Sequence, residues 1–446
     1  MLTIVLGAYM VLLLLVAWRS AKKITEPKDF FVAGGAGKAF NVTGSLLATV
    51  LGSSAIIGTM ELTQRQGWSA AWLLLCGALG LAVLYPFAGR IKQMGKLTLP
   101  QMIGDFYGSG AERLSSGLIA LAWLGIVAAQ IIGASKILSV WMNWPVLPTQ
   151  VGATALIFGY TALGGQWSVL KTDIWQGLLI WSMLIMTAVM WGNRPAAAPL
   201  PDISASFPFD AHFSPLDLLL LLLTYASTFV VGPDIYSRIF CAENEKVARK
   251  SVLASALLIL PLAFIIPYLG MHAAALYPEA AHVFDAFVLA AKHHLPVWLS
   301  LGLILALLSA VLSSADTTLL TAALVVQQIR KGKHEPRIRS TRWWMLIFSL
   351  LSFIIAWKIN SVIGTLLLGL SVYAGAFVLP LAFGIAGFRA SSNWVKAGMV
   401  IGGVVGGFGK YVQSFWPQGS PYVIISAFAL NFLCLLIGWH EHRKFR

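Results

Sequence analysis

The sequence predicts an all-α integral membrane protein with about thirteen transmembrane helices. Three observations carry that expectation. Of the 446 residues, 58% are hydrophobic and 11% are charged, against roughly 25% charged in soluble domains, and mean hydropathy is +0.80. Apolar runs of about 20 residues, enough to cross the hydrocarbon core, recur along the whole chain. These runs lack period-two alternation, which excludes a closed β-barrel, the other structure that satisfies its backbone in lipid. The formal net charge of +14 fits basic loops at a membrane surface better than a nucleic-acid partner. Cys76, Cys241 and Cys434 give neither a disulfide framework nor a metal spacing.

The first run, Leu2 to Trp18, has no basic segment before it and no small-residue cleavage site after it, so it reads as a retained helix with an outside N-terminus. Helices are expected near 2–20, 40–62, 67–92, 115–139, 148–164, 172–193, 214–237, 249–276, 297–328, 342–358, 361–386, 395–414 and 420–439. Thirteen crossings from outside end inside, with a cytoplasmic C-terminus. Only Arg65, Lys136, Arg194, Lys292, Lys358 and Lys410 then fall at the outer side. The other 25 of the 31 Lys and Arg lie inside or at the inner boundary, the bias that sets topology in membranes. Arg194 to Ser214 reads as an outer loop, and Arg330 to Arg342 as a basic inner loop. The tail His440 to Arg446 is too short for a signalling module. The chain reads as one domain, 1–446, in the plasma membrane (the inner membrane of a bacterium), with the lipid bilayer as its medium and no obligatory protein partner.

Two apolar segments are interrupted, the second helix at Gly52-Ser53-Ser54 and the seventh at Gly232-Pro233. Matched breaks in two halves point to inverted repeats and to a binding site near the membrane midplane. A hard cation wants oxygen ligands, which membrane helices supply from hydroxyls, carboxylates and carbonyls freed by unwinding. The ninth helix carries SAVLSSADTTLLT at 309–321. Residues three and four apart share a face, so Ala310, Ser313 and Ser314 form one cluster, and Ser313, Asp316 and Thr317 another. Hydroxyls bonded back to their own helix explain a lone serine; a run that includes an aspartate points to a site. Asp173 is read as opening a helix, where the dipole favours an anion. Glu61 and Arg65 are read as a local pair, Lys136 as snorkelling, and His272, His282, His293 and His294 as residues in or near an outer loop. No nucleophile, base and orienter set suggests an enzyme.

At these residues the chain resembles the sodium:solute symporter family over nearly its whole length. The marks are DFFVAGG at 29–35, ATVLGSSAIIG at 48–58, LTLPQMIGDFYG at 97–108, YTALGGQWSVLKTDIWQG at 160–177 and LSSADTTLL at 312–320. The resemblance implies a LeuT-like fold of two inverted five-helix repeats, at 40–193 and 214–386, with extra helices at 2–20 and 395–439. It implies uptake of a small solute coupled to inward Na+ flow. It places the main Na+ site on carbonyls of Ala48, Leu51 and Ala310 and hydroxyls of Ser313 and Ser314. Members resembling sialic acid transporters imply a second cation position at Asp173, Ser313, Asp316 and Thr317, where Asp316 stands in place of a hydroxyl. Solute-lining candidates are Ser53, Ser54, Gln130, Thr224, Tyr225 and Thr228. Ala55, Leu74 and Tyr225 stand where a sugar-carrying relative contacts its hexose; its Gln and Glu are missing there, which argues against a hexose. The alternatives are a proton-coupled carrier that uses Asp173 or Asp316, and a sensor of the same fold that has lost transport.

Overall fold

Lipid offers the backbone no hydrogen-bond partner, so each apolar run must close its own ladder. The structure, a computed structural model, describes residues 2–22, 24–193, 203–330, 337–359, 361–413, 415–416 and 418–444. Parts of the expected outer loop (194–202), of the basic inner loop (331–336) and of the tail (445–446) lie outside the described residues. In chain order the helices are α1 (Leu2–Ala21), α2 (Pro27–Val32), α3 (Ala39–Val50), α4 (Ser53–Gln66), α5 (Trp72–Gln93), α6 (Leu99–Tyr107), α7 (Ser109–Met142), α8 (Val146–Gly192), α9 (Ile203–Ser206) and α10 (Pro215–Leu221). There follow α11 (Ser227–Val231), α12 (Pro233–Cys241), α13 (Glu245–Leu276), α14 (Val283–His294), α15 (Val297–Arg330), α16 (Ile338–Lys358), α17 (Val362–Ile385), α18 (Ser392–Val412) and α19 (Ser420–Lys444).

Among the described residues ten helical segments are long and apolar enough to cross a membrane, fewer than the expected count of about thirteen. The difference has identifiable sources. One continuous segment, Val146–Gly192, covers the expected helices 148–164 and 172–193; another, Ser53–Gln93, joins α4 to α5; and α18, which packs between α17 and α19, is not among the ten. Apolar run length predicts no helix at α2, α6 or α14. These helices are too short to read as membrane spans, and α14 packs on α13, α4 and α7.

The core forms where α15 packs on α8, α7 and α3, and where α13 packs on α5 and α3. Two breaks interrupt it. α3 ends at Val50, its last ladder bond running from Leu51 N–H to Leu47 O, and α4 restarts after Gly52 in extended backbone (φ −66°, ψ −177°). A Cβ on Gly52 would stand 2.3 Å from Ser314 Oγ, so only glycine lets α15 approach this closely. The second break follows a π-helical turn at Leu222–Ala226: α11 stops at Val231, Gly232 is extended (φ −74°, ψ 130°), and Pro233 opens α12, its missing N–H costing nothing at a helix start.

Asp173 does not open a helix. α8 kinks at Gly165 (φ 54°, ψ −157°), where a Cβ would meet the Phe30 ring at 2.5 Å, and then continues. Asp173 is thus interior and fully buried. The expectation that Asp173 opens a helix is overturned, because the chain turns earlier, at Gly165. His272 is likewise inside α13, its ring stacked on Trp191 at 4.9 Å.

Candidate functional site

The break between α3 and α4 leaves the carbonyls of Ala48, Thr49, Val50 and Leu51 beyond the helical ladder, as helix ends must. The hydroxyls of α15 meet them. Ser313 Oγ donates to Ala48 O at 2.9 Å and lies 3.3 Å from Ala310 O, and Ser314 Oγ donates to Thr49 O at 2.9 Å. The structure thereby brings Ala48, Ala310 and Ser313 into direct contact. Ser314 reaches the neighbouring carbonyl of Thr49 rather than that of Leu51.

Asp173, Asp316 and Thr317 meet one turn further along α15, joined by a residue the sequence reading missed. Arg238 on α12 is fully buried. Its Nη2 donates to Asp173 Oδ2 at 3.1 Å and to Thr317 Oγ1, its Nε to Ser45 Oγ at 3.1 Å, and its Nη1 to Ser237 Oγ at 3.1 Å. Ser45 in turn donates to Asp173 Oδ2. Thr317 Oγ1 lies 3.1 Å from Asp316 Oδ1, while Asp316 Oδ2 and Asp173 Oδ1 are buried without hydrogen-bond partners. A guanidinium thus stands between α8 and α15, where a second free cation was expected. The charge count along the sequence had placed Arg238 among residues at the inner boundary. Its position five residues after a break, on a helix that turns inward, is the signal that distinguishes it.

Beside the break lies a cavity of about 80 Å³. Of the six solute-lining candidates, Ser54, Gln130, Tyr225 and Thr228 line it. Ser53 instead donates through Oγ to Gln130 Oε1 at 2.8 Å and fixes that side chain. Thr224 faces a wider vestibule of about 570 Å³, which shares Ser54 and Leu366 with the cavity. Thr49 and Ser314 also line the cavity, so it touches the hydroxyl and carbonyl set directly. Glu61 and Arg65 both line the vestibule, but Glu61 pairs with Lys136, not with Arg65: Lys136 Nζ lies 2.7 Å from Glu61 Oε1. Lys136 is held by α4 and does not reach along its own helix toward water.

A sequence model described as the sodium:solute symporter family matches residues 30–402. The chain belongs to the sodium:solute symporter family. The symporter is 25% identical to the sodium/proline symporter of Haemophilus influenzae over 91% of this chain and 86% of that one. It is 23% identical to the uncharacterized symporter YwcA of Bacillus subtilis over 86% and 77%. Its fold matches a Na+-coupled sialic acid symporter solved substrate-bound and outward-open, with a TM-score of 0.78 at 16% identity, covering 100% of this chain and 98% of that one. The symporter is therefore a multi-pass membrane protein of LeuT-like fold that carries a small solute together with Na+.

Proposed function

We propose that one Na+ binds where α15 meets the break between α3 and α4, held by the carbonyls of Ala48, Leu51 and Ala310 and the hydroxyls of Ser313 and Ser314, and that the solute binds in the adjoining cavity. The observation that carries this reading is the pair of 2.9 Å contacts from Ser313 and Ser314 to the freed carbonyls of Ala48 and Thr49. Hard cations sit about 2.3–2.6 Å from oxygen, so small shifts of these groups enclose one. A hydroxyl then turns its proton away and offers a lone pair. Because Ser314 and Thr49 also line the cavity, the ion that joins α15 to the break shapes the wall against which the solute rests. That shared wall couples the two bindings.

In this reading 40–193 and 214–386 are the two repeats, with the breaks at Gly52 and Gly232 in matched positions. The Glu61 end faces outside, so the vestibule is the entry path and the N-terminus is external. The C-terminus is cytoplasmic, in the inner membrane of a bacterium, and the chain works as a carrier rather than an enzyme. The opposite end is held shut by contacts such as Lys92 Nζ to Phe240 O at 2.8 Å. The test is thermal stability of the purified protein in NaCl against KCl, for the wild type and Ser314→Ala. Stabilisation by Na+ that is weakened in the variant supports the site; equal stabilisation by both salts removes it.

A specific observation favours a proton over a second Na+ at the Asp173, Asp316 and Thr317 position. Arg238 already supplies a fixed cation there, and two buried carboxylates share its single charge. One proton on Asp316 leaves the cluster neutral, and the guanidinium already occupies Asp173 Oδ2 and Thr317 Oγ1, two of the oxygens a Na+ there would use. Asp316→Asn should then abolish any dependence of transport on proton concentration while Na+ dependence persists.

A further inference from the structure

Asp234, which sequence reasoning passed over, lies directly after Gly232-Pro233, in the first turn of α12. Its Oδ1 accepts the indole N–H of Trp123 at 2.9 Å, and Thr321 hydrogen-bonds to the same carboxylate. Gly232, Pro233 and Ile235 around it are buried, yet Asp234 is only half-buried, and it lines the cavity beside the break. Its accessible surface faces that cavity. A carboxylate deep in a membrane bundle costs about 2.5–3.5 kcal/mol on insertion scales and calls for a partner. Among the described residues Asp234 is in no ion pair, and Arg238, one turn along the same helix, is engaged with Asp173, Ser45, Ser237 and Thr317. The walls beside Asp234 are aromatic: Trp123, Tyr225 and Phe229 line the cavity, the last two meeting edge to face at 5.1 Å.

A fixed carboxylate in an aromatic-walled cavity selects for positive charge. It accepts N–H bonds from an ammonium, the ring faces attract the same cation, and it repels an anion. We propose that the transported solute carries a protonated or quaternary amine, which binds against Asp234 between Trp123, Tyr225 and Phe229; this rests on the cavity being the solute site of Na+ symport. Asp234 also sits where the dipole of α12 favours a carboxylate, so a purely structural role is the competing account, and Asp234→Asn separates the two. Asparagine keeps one acceptor oxygen for Trp123 and offers Thr321 an N–H in place of the other, so the charge is the main loss.

The experiment measures thermal shifts of the purified, full-length protein in NaCl, with pyrrolidine, tetramethylammonium and L-proline against the amine-free carbon analogues cyclopentanol and cyclopentanecarboxylate. The expected result is that an amine-bearing probe stabilises the wild type and the carbon analogues do not, and that Asp234→Asn weakens the amine by roughly tenfold or more while stabilisation by Na+ alone persists. The inference is overturned if no amine-bearing probe acts, if the carbon analogues act equally, or if Asp234→Asn keeps the amine preference. Loss of the Na+ effect in Asp234→Asn would also overturn it, because Asp234 would then serve the ion. Failure of the wild type to respond to Na+ at all would instead remove the proposed ion site.

Discussion

At the scale of single residues the account rests on oxygen atoms and on one guanidinium. Ser314→Ala removes one of five proposed Na+ ligands, so apparent Na+ affinity should fall by about 1–2 kcal/mol, or roughly 5- to 30-fold, in uptake measured against Na+ concentration. An unchanged Na+ curve would mean that the ion sits elsewhere. Arg238 makes a different prediction. Arg238→Gln leaves Asp173 buried and short of its counter-charge, which costs on the order of 3–5 kcal/mol when a buried pair is broken from one side. The melting temperature should drop sharply, and Arg238→Gln with Asp173→Asn should recover part of the loss, since no charge is then stranded. A single variant as stable as the wild type would show that the pair is dispensable. The hydroxyls were legible in the sequence because polar residues three and four apart stand out on an apolar helix. Arg238 and Asp234 were not. In a string such as Pro233-Asp234-Ile235-Tyr236-Ser237-Arg238, one charge of each sign at the end of an apolar run reads as a membrane boundary, and only the fold shows that α12 turns back into the bundle.

At the scale of elements, the breaks do the positioning. Gly52 lets α15 reach the carbonyls of α3, and Gly165 lets α8 bend around Phe30. Gly52→Ala should push Ser314 away and weaken Na+-dependent stabilisation at least as much as Ser314→Ala does, in the same thermal-shift assay. If Gly52→Ala binds Na+ normally, the close approach has no bearing on the site. The break at Gly52-Ser53-Ser54 and the one at Gly232-Pro233 were both visible as small or helix-breaking residues inside apolar runs. The sequence predicts separate helices at 148–164 and 172–193, because the polar residues after Gly164-Gly165 interrupt the apolar run. Hydrogen bonding continues past the kink at Gly165, so Asp173 ends in the core instead of at a helix start. α6 and α14 escaped notice for a related reason: short amphipathic helices beside long apolar ones resemble loops in hydropathy.

For the whole molecule, the proposed orientation puts the vestibule at the outer side of the membrane. The three native cysteines are buried, which gives a low background for labelling. A cysteine at Gln64, exposed on the vestibule, should react with a membrane-impermeant reagent from outside. Cysteines placed at the two termini should react from opposite sides, the N-terminus outside. Both termini on one side would contradict the orientation derived from the basic residues. The all-α membrane class was legible from composition and run length; the LeuT-like arrangement was legible only through the resemblance carried by the motifs. The helix count was not, because continuous helical segments span boundaries that hydropathy alone suggests.

The central claim is that Na+, held by the oxygens of α3 and α15, is the coupling ion. Uptake of 22Na+ into proteoliposomes of purified protein tests it most directly, once a stabilising solute has been found. The account predicts that the solute accelerates 22Na+ entry, that Ser313→Ala and Ser314→Ala suppress this entry, and that K+ gives no equivalent solute flux. Solute movement that proceeds equally in K+, or that follows a proton gradient with no 22Na+ entry, would contradict it.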